Sequence, residues 1–239
     1  KHPPLRQRGV SNIWQRSNFT CDGAAPAALT QQCRLRMAAH CMNDSPTPRK
    51  PSPRLWALIP CAGSGSRALG AELSRPKQYQ LLDGQPMVMH TLAAFAAVPQ
   101  LSGTLVVVAP GDDFLDRTGA GYWVVACGGA TRVASVSNGL THLAGQGAQP
   151  DDWVLVHDAA RCLVTPAQIT QLINGCIEDD VGGLLACKLP DTLKTERHGR
   201  VASTLDRSDK WLAQTPQMFR LGLLQRALAR AGAQVTDES

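Results

Sequence analysis

What the chain lacks excludes several classes of protein. None of its eight cysteines forms a Cys-x-x-Cys pair, so neither a zinc site nor a thioredoxin-like motif is indicated. No stretch approaches the roughly 20 apolar residues that span a bilayer, and residues 1–54 hold no apolar core of a secretory signal. Several cysteines stand in apolar runs, where they would serve as small apolar core residues, as is typical of proteins in a reducing compartment. We therefore expect a cytoplasmic protein without a membrane partner.

The positive charge of the chain is concentrated at its start. Residues 1–54 contain nine basic and two acidic residues, a net charge of +7. The whole chain carries +5, so residues 55–239 carry −2. A basic face that contacts many phosphates is therefore not expected in the body, and nucleic acid is not an expected partner.

The first 54 residues also lack a sustained period of either two or 3.6. The chain begins with Lys1, and Met42 is followed by a Pro-rich and Ser-rich segment that ends just before the first apolar run. We predict a disordered leader over residues 1–54, with Met42 as the natural start. A short targeting or interaction tail is the alternative.

Strands and helices alternate from Leu55 onward. The pattern predicts strands at 55–59, 103–109, 122–127, 153–156 and 183–189, and helices at 86–98, 131–144, 166–177 and 221–231. Apolar strands separated by helices indicate an α/β fold with a mostly parallel sheet covered on both faces. Ligands bind at the carboxyl ends of such strands, so a site is expected in the loops after Ile59, Cys127 and Val156.

One segment interrupts this alternation. Residues 190–212 alternate polar and apolar side chains around His198-Gly199, which predicts a polar hairpin. Because a hairpin with little apolar surface is not stable alone, we expect it to pack on another part of the assembly, such as a second subunit.

Two motifs follow the first strand and suit a triphosphate. Small residues let backbone N–H groups approach phosphate oxygens, and the first loop supplies a run of them before Arg67: Pro60, Cys61, Ala62, Gly63, Ser64 and Gly65. The loop lacks both the Gly-Lys-Ser/Thr ending of a Walker loop and the third glycine of a dinucleotide fingerprint. Lys77 follows Pro76, which stiffens the backbone before it. A tight turn and a solvated lysine are the plainer interpretations.

Two further motifs lie at later strand ends. Gly128-Gly129 would admit a flat base, and Ser135 could offer it a hydroxyl; a local helix cap at Thr131 or Ser135 is the alternative. Asp158 ends a buried apolar run, a common place for a Mg²⁺ ligand, since Mg²⁺ favours one or two carboxylates with phosphate oxygens. Asp158 could instead cap the next turn or pair with Arg161. We interpret His157 as structural.

Taken together, these motifs resemble those of the 2-C-methyl-D-erythritol 4-phosphate cytidylyltransferase family of the non-mevalonate isoprenoid pathway. The resemblance rests on seven segments in order: P-C-A-G-S-G-S-R, P-K-Q-Y, G-G-x-x-R-x-x-S-V, V-H-D-A-A-R, D-T-L-K, D-R…W…Q-T-P-Q and T-D-E. It covers residues 55–239. It implies a Rossmann-like nucleotidyltransferase fold with a protruding β-arm, CTP and a sugar-alcohol phosphate as substrates, and Mg²⁺ or another divalent cation as cofactor.

The resemblance also assigns roles to residues of this sequence. It implies that Arg67 and Lys77 are catalytic and that Asp158 is linked to the metal. Thr192 and Arg207 would bind the sugar-alcohol phosphate from an arm at 190–212 that is exchanged within a homodimer. The implied nucleotide-binding set consists of Pro60, Cys61, Ala62, Gly63, Ser64, Gly65, Gly129, Ser135 and Ala159.

The sequence departs from the family pattern in a few places. Cys61 stands where Ala is usual, Ser66 where an arginine is frequent, Ala130 where the residue is acidic or polar, and Cys162 where Pro is common. The family continues beyond Thr236-Asp237-Glu238 with a strand that carries a substrate-binding lysine, followed by a helix. The resemblance therefore implies that the domain at 55–239 is incomplete, and a fragment of this kind is expected to be inactive or nearly so.

Three rival functions remain open on the sequence alone. A ribitol-phosphate or other alditol-phosphate cytidylyltransferase would share the loop and the P-K-Q motif. A sugar-1-phosphate nucleotidyltransferase would carry a G-x-G-T-R loop and lack V-H-D-A-A-R. A dinucleotide-binding module would use Asp83 but would leave Arg67 and Lys77 without a role.

Overall fold

A computed structural model of the chain describes residues 11–12, 52–63, 75–115, 118–119 and 121–231. Two compact units divide the chain, residues 1–14 with 53–239 and residues 15–52. All described residues except Ser52 belong to the first unit. The leader at 1–54, its start at Met42 and the domain boundary at 55 stay predictions, since most of that segment lies outside the described residues.

Twelve strands are present in the described ranges, eight of them in one sheet. The short strands are β1 (Ser11–Asn12), β3 (Leu81–Leu82), β4 (Gln85–Pro86) and β6 (Thr118–Gly119). The longer ones are β2 (Leu55–Pro60), β5 (Gly103–Val107), β7 (Tyr122–Val125), β8 (Trp153–Val156), β9 (Gly182–Lys188), β10 (Leu193–Arg197), β11 (Arg200–Leu205) and β12 (Trp211–Arg220).

The strand order of the main sheet is β1-β9-β12-β8-β2-β5-β7-β6. The neighbours β8, β2, β5 and β7 run parallel, whereas β12 is antiparallel to both β8 and β9. The sheet is therefore mixed and mostly parallel. This arrangement confirms the predicted α/β fold and brings the carboxyl ends of β2, β5, β7 and β8 to one edge.

Four helices cover the two faces of the sheet: α1 (Met87–Ala96), α2 (Arg132–Gly145), α3 (Pro166–Cys176) and α4 (Leu221–Ala231). Side chains of α1 and α3, such as Phe95 and Ile169, belong to one apolar core with Ile59 and Leu155. Side chains of α2 and α4, such as Leu140, belong to a second core. Buried strands of this kind need both faces covered, which is why they are apolar throughout.

Local sequence signals explain where the helices begin. Thr165 caps α3 through a reciprocal pair with Gln168, and Pro166 occupies the first turn, where its missing N–H costs nothing. Thr131 caps α2 by accepting a hydrogen bond from the Ala134 amide at 3.0 Å. No helix in the described ranges is long and apolar enough to cross a bilayer.

The predicted hairpin is confirmed as the antiparallel pair β10–β11. Its turn places His198 at φ 52° and Gly199 at φ 73°, the left-handed conformation that a tight two-residue turn requires. All six side chains of β11 are exposed, and Val201 and Leu205 are among them. We call β10 and β11 with their flanking residues 190–212 the arm.

Candidate active site

The glycine-rich loop begins where β2 ends, and a buried glutamine holds it. The side-chain Nε2 of Gln78 donates to the carbonyl oxygens of Cys61 at 3.0 Å and Gly63 at 2.9 Å. Burial raises the pKa of the Cys61 thiol to about 12. The thiol therefore stays protonated, and this residue contributes to the loop through its backbone. The amide N–H groups of Ala62 and Gly63 donate to no acceptor within the described ranges.

Lys77 lies on the same short 3-10 turn as Gln78. The turn spans Lys77–Tyr79, and Gln78 and Tyr79 are buried while Lys77 is exposed. The hydroxyl of Tyr79 donates to Asp112 at 2.6 Å, and its ring stacks on Phe114 with ring centroids 4.0 Å apart. Two buried neighbours thus anchor the turn and leave the ammonium of Lys77 at the surface.

The second glycine motif packs directly against the loop. A Cβ atom at Gly128 would lie 2.3 Å from the Cβ of Ala62 and 2.8 Å from the Val108 carbonyl oxygen. Because no side chain fits in that space, glycine is required there for the two loops to touch.

Ser135 is engaged within its own turn. Its hydroxyl donates to the Thr131 carbonyl at 3.0 Å and accepts from the Gly129 amide at 3.1 Å. The side chain is buried. These contacts hold Ser135 within the first turn of α2, where Thr131 is the cap, and the nucleotide contact of Ser135 stays a prediction.

Asp158 lies two residues beyond β8, between two arginines. Its Oδ1 accepts from Nε of Arg132 at 2.7 Å, and its Oδ2 accepts from Nε of Arg161 at 2.8 Å. Partial burial raises the pKa of Asp158, but the two guanidinium groups outweigh it and hold the pKa below its usual value. The carboxylate is ionised at neutral pH and keeps 29% of its side-chain surface exposed.

His157 has a structural set of contacts, as expected. Its Nε2 lies 3.1 Å from the Arg161 carbonyl, which can only accept, so Nε2 carries the proton. Its Nδ1 lies 2.9 Å from Thr215 Oγ1 and accepts the hydrogen bond from it. Burial lowers the pKa of His157 to about 4, so the imidazole is neutral at physiological pH.

A continuous series of contacts therefore joins five of the predicted motifs at the carboxyl edge of the sheet. Gln78 connects the P-K-Q turn to the loop at Cys61 and Gly63. Gly128 touches the same loop, and Arg132, at the start of α2, reaches Asp158. Arg161 extends the series to Gln214 of the Q-T-P-Q motif at 2.7 Å. Parallel strands present their carboxyl ends together, which is why segments distant in sequence meet here.

Comparison with known proteins agrees with this arrangement. The family model described as IspD, 2-C-methyl-D-erythritol 4-phosphate cytidylyltransferase, matches residues 55–239. The chain belongs to this family. Ribitol-phosphate transfer, the alternative left open by the sequence, is not favoured.

Relatives of the cytidylyltransferase family differ in length. A bifunctional enzyme IspD/IspF of Albidiferax ferrireducens is 69% identical over 191 residues, which cover 79% of this chain and 45% of that enzyme. A 2-C-methyl-D-erythritol 4-phosphate cytidylyltransferase of Paraburkholderia phymatum is 50% identical over 195 residues, which cover 78% of this chain and 81% of that enzyme. The chain thus spans about half the length of the bifunctional relative and most of the other.

Solved structures of the cytidylyltransferase family have the same fold. A crystal structure of 4-diphosphocytidyl-2C-methyl-D-erythritol synthase superposes with a TM-score of 0.67 at 38% identity, covering 78% of this chain and 82% of that one. The cytidylyltransferase of Francisella tularensis gives a TM-score of 0.64 at 34% identity, covering 77% and 83%.

The arm residues lie apart from the contact series of this cytidylyltransferase domain. Thr192 and Arg207 are both exposed, and Arg207 donates through its guanidinium to the carbonyl of Pro190 at the base of the arm. No hydrogen bond or ion pair in the described part of the chain connects either residue to Asp158 or to the loop. Their substrate-binding roles stay predictions.

Several predicted residues of the cytidylyltransferase site cannot be placed. Ser64, Gly65 and Arg67 lie outside the described residues, as do Asp237 and Glu238. Of the remaining nucleotide-binding set, Pro60 ends β2, and Ala159 is buried with its carbonyl accepting from Thr91 at 2.9 Å.

Three contact residues were not assigned a role by the sequence reasoning. Gln78 and Tyr79 anchor the turn of Lys77, and Arg132 holds Asp158. All three stood inside recognised motifs, and their position beside an assigned residue was the available signal.

The described side chains fit a divalent cation only together with a phosphate ligand. No cluster of three or more His, Cys, Asp or Glu side chains occurs in the described ranges. Asp158 offers one carboxylate, and both of its oxygens already accept hydrogen bonds from arginines. A carboxylate has lone pairs to spare beyond two hydrogen bonds, and Mg²⁺ often takes one carboxylate with phosphate oxygens and water. Asp158 fits that role for a metal–triphosphate complex.

Proposed function

We propose that the chain transfers the cytidylyl group of CTP to 2-C-methyl-D-erythritol 4-phosphate and releases pyrophosphate, as a step towards isoprenoid precursors. Family membership over residues 55–239 supports the reaction. The observation that carries it is the contact series from Gln78 through Gly128 and Arg132 to Asp158, because it assembles the predicted nucleotide motifs at one sheet edge.

The chemical problem is the approach of two anions. An oxygen of the acceptor phosphate attacks the α-phosphorus of CTP, and the bond from that phosphorus to the pyrophosphate breaks. The nucleophile is already anionic, so no strong base is needed, and catalysis consists of charge neutralisation and positioning. The unpaired amides of Ala62 and Gly63 are suitable donors to phosphate oxygens.

Two cations serve the transition state in this proposal. Lys77, exposed on an anchored turn, would meet the charge that develops on the α-phosphate and the departing pyrophosphate. Arg67, which stands between Gly63 and Lys77 in the sequence, is the second cation of the proposal. An ammonium whose backbone is fixed costs little reorganisation at the moment of reaction.

A divalent cation would neutralise triphosphate oxygens when bound, and Asp158 would hold it. The neighbouring Arg132 and Arg161 keep the carboxylate ionised and oriented. Gly129, Ser135 and Ala159 would border the nucleotide, with Gly129 allowing close approach.

The arm supports a dimer that shares its sites. Thr192 and Arg207 make no hydrogen bond or ion pair to the described part of the site in their own subunit, and the exposed residues of the arm include Val201 and Leu205. In the proposed homodimer, the arm of one subunit brings Arg207 to the acceptor phosphate in the site of the other. A guanidinium can hold a phosphate bidentately. A cytoplasmic location is part of the proposal, supported by five free cysteines among the described residues.

Release of pyrophosphate tests the reaction. CTP with 2-C-methyl-D-erythritol 4-phosphate should release pyrophosphate. Replacing the acceptor by ribitol 5-phosphate, or CTP by UTP, should lower kcat/KM by at least about 10-fold, the effect of one lost polar contact. Equal rates with ribitol 5-phosphate would refute the proposed acceptor. No pyrophosphate with any pair would refute the activity of this chain and would agree with the expectation from the sequence that it is inactive.

Subunit complementation tests the exchanged arm. An Arg207→Ala chain and an Arg67→Ala chain should each be inactive and should recover activity when mixed, because one of the two sites in the heterodimer then keeps both arginines. Well-mixed heterodimers without recovery would place Arg207 in the site of its own subunit.

A further inference from the structure

We propose that Gln78 is a positioning residue that fixes the glycine-rich loop to the turn of Lys77, so that the loop amides and the lysine ammonium meet the same triphosphate. This inference rests on the proposed function, because it names the residue that sets the geometry of that site. Gln78 itself touches neither substrate nor metal in this scheme.

The bonding of Gln78 leaves one orientation of its amide. Both of its partners, the carbonyl oxygens of Cys61 and Gly63, are acceptors, so the NH₂ group and not the oxygen must face the loop. The residue is 6% exposed, so water does not compete freely for these bonds. One side chain thus binds two carbonyls that flank Ala62.

The two bonds determine what the loop offers to a ligand. The Cys61 carbonyl and the Ala62 amide belong to one trans peptide unit, so turning this carbonyl towards Gln78 points the Ala62 amide away from it. The amides of Ala62 and Gly63 donate to no acceptor in the described part of the chain. Unpaired amides at a strand end are the donors that a phosphate group needs. Satisfying the carbonyls from a side chain keeps these amides available.

The same side chain sets the distance between the loop and the lysine. Gln78 follows Lys77 directly on a turn closed by hydrogen bonds from Tyr79 N to Pro76 O at 3.0 Å and from Gln80 N to Lys77 O at 3.1 Å. Tyr79 anchors the other end of this turn on Asp112 and Phe114. Any shift of Gln78 therefore moves the loop relative to Lys77.

Two substitutions separate bonding from volume. Gln78→Met keeps the length of the side chain and removes both donors, and Gln78→Glu places acceptors opposite two carbonyl oxygens. Gln80→Met and Gln80→Glu are matched controls, because Gln80 belongs to the same segment, is half-buried, and makes no side-chain hydrogen bond in the described part of the chain.

Hydrogen exchange of the full chain tests the anchor without reference to catalysis. Exchange of the Cys61 amide, which donates to the Val107 carbonyl at 2.7 Å, should accelerate by about 10-fold or more in Gln78→Met, and further in Gln78→Glu, since each lost hydrogen bond weakens the closed loop. The Gln80 variants should exchange like the unsubstituted chain. Unchanged exchange in both Gln78 variants would overturn the anchor.

A double-mutant cycle with Lys77→Ala separates positioning from stability. If Gln78 positions Lys77, Gln78→Met should lower kcat at saturating CTP by about 10-fold or more, and the loss should be much smaller when Lys77 is already Ala. Strictly multiplicative effects, or faster exchange with unchanged kcat, would show a merely structural glutamine and overturn the proposal. A chain without any turnover would refute the proposed function, and hydrogen exchange would still decide whether Gln78 holds the loop.

Discussion

Two aspartates at opposite ends of β8 meet arginine in different ways. Asp152, just before the strand, keeps only 4% of its side-chain surface exposed. It accepts from the Arg54 amide at 2.9 Å, the Gln149 amide at 2.9 Å and the Trp56 indole at 3.1 Å, besides the guanidinium of Arg54. Asp158, beyond the other end, keeps 29%, and its carboxylate accepts from the side chains of two arginines and from no backbone amide in the described part of the chain.

The difference distinguishes an acid that holds the fold from an acid available to a ligand. Asp152 receives backbone donors from two separate segments, and its own carbonyl accepts from Leu221 at the start of α4, so three of its partners are backbone groups fixed by the fold. The arginines of Asp158 are side chains that can rotate, and one face of its carboxylate meets solvent. The amino end of the sheet is thereby closed, and the carboxyl end can exchange partners.

Removing Asp152 should give the largest loss of stability. Asp152→Ala leaves the amides of Arg54 and Gln149 and the Trp56 indole without their acceptor, which should lower the free energy of unfolding by about 3 kcal/mol. Urea denaturation measures this value. Asp209→Ala is the control, because that exposed carboxylate, paired only with Lys210, should contribute less than about 1 kcal/mol. Similar losses in the two variants would refute the structural role of Asp152.

Lys77→Ala, at the carboxyl end of the sheet, should lower activity without lowering stability. Because the exposed ammonium is assigned to the transition state, kcat should fall by about 100-fold or more, as for lost oxyanion donors, with little change in unfolding. The same loss is expected for Arg67→Ala. Steady-state kinetics measures kcat and KM separately, and Arg230→Ala, an exposed cation on α4, serves as the surface control. A rise in KM for CTP alone would contradict the assignment.

Asp158→Asn tests the proposed metal-binding role of Asp158. The shape of the side chain is kept and the charge is lost, so activity should fall by about 10-fold or more and recover in part at raised Mg²⁺. The free energy of unfolding should change by only about 1 kcal/mol, as for other partly exposed ion pairs. Kinetics over a Mg²⁺ series, with unfolding beside it, gives both values. An unchanged Mg²⁺ dependence would remove Asp158 from the metal site.

Lowering the pH should produce the smallest and most gradual change in stability. The hydrogen bonds and the charge of Arg54 outweigh burial and hold the pKa of Asp152 below its ordinary value. Because the folded pKa lies below the unfolded one, its contribution to stability is complete above about pH 4 and declines as the pH falls towards the folded pKa. Urea unfolding across this range should show a shallower decline for Asp152→Asn. Identical declines would mean that Asp152 does not titrate differently in the folded chain.

The sequence predicted the parallel part of the fold well, because its signals are local. The strand at 153–156 and the helix at 221–231 match the structure, and the other predicted elements end within a few residues of their observed bounds. Thr165 and Pro166 mark the start of α3 because helix caps act within one turn. The motifs of the site could be aligned to strand ends for the same reason.

Strand β12 was not predicted, and its composition explains why. Pro216 stands in the middle of the strand, and a proline there argues against an inner strand. The structure accommodates it where the register with β9 shifts between Ala213 and Gln217. Gln78 and Arg132 were likewise missed as contacts, since their partners at Cys61, Gly63 and Asp158 lie 15 or more residues away in the sequence.

The antiparallel course of β12 also determines where the arm leaves the sheet. Val156 at the end of β8 is level with Gln217 of β12 and Leu184 of β9, so β9 continues four residues beyond it, about 13 Å at strand spacing. The tip at His198-Gly199 therefore extends outward from the edge where the site lies, on a two-stranded sheet separate from the main sheet. A fluorophore attached at that exposed tip would test whether two subunits meet through the arm, as proposed, and should leave the folding of each one undisturbed.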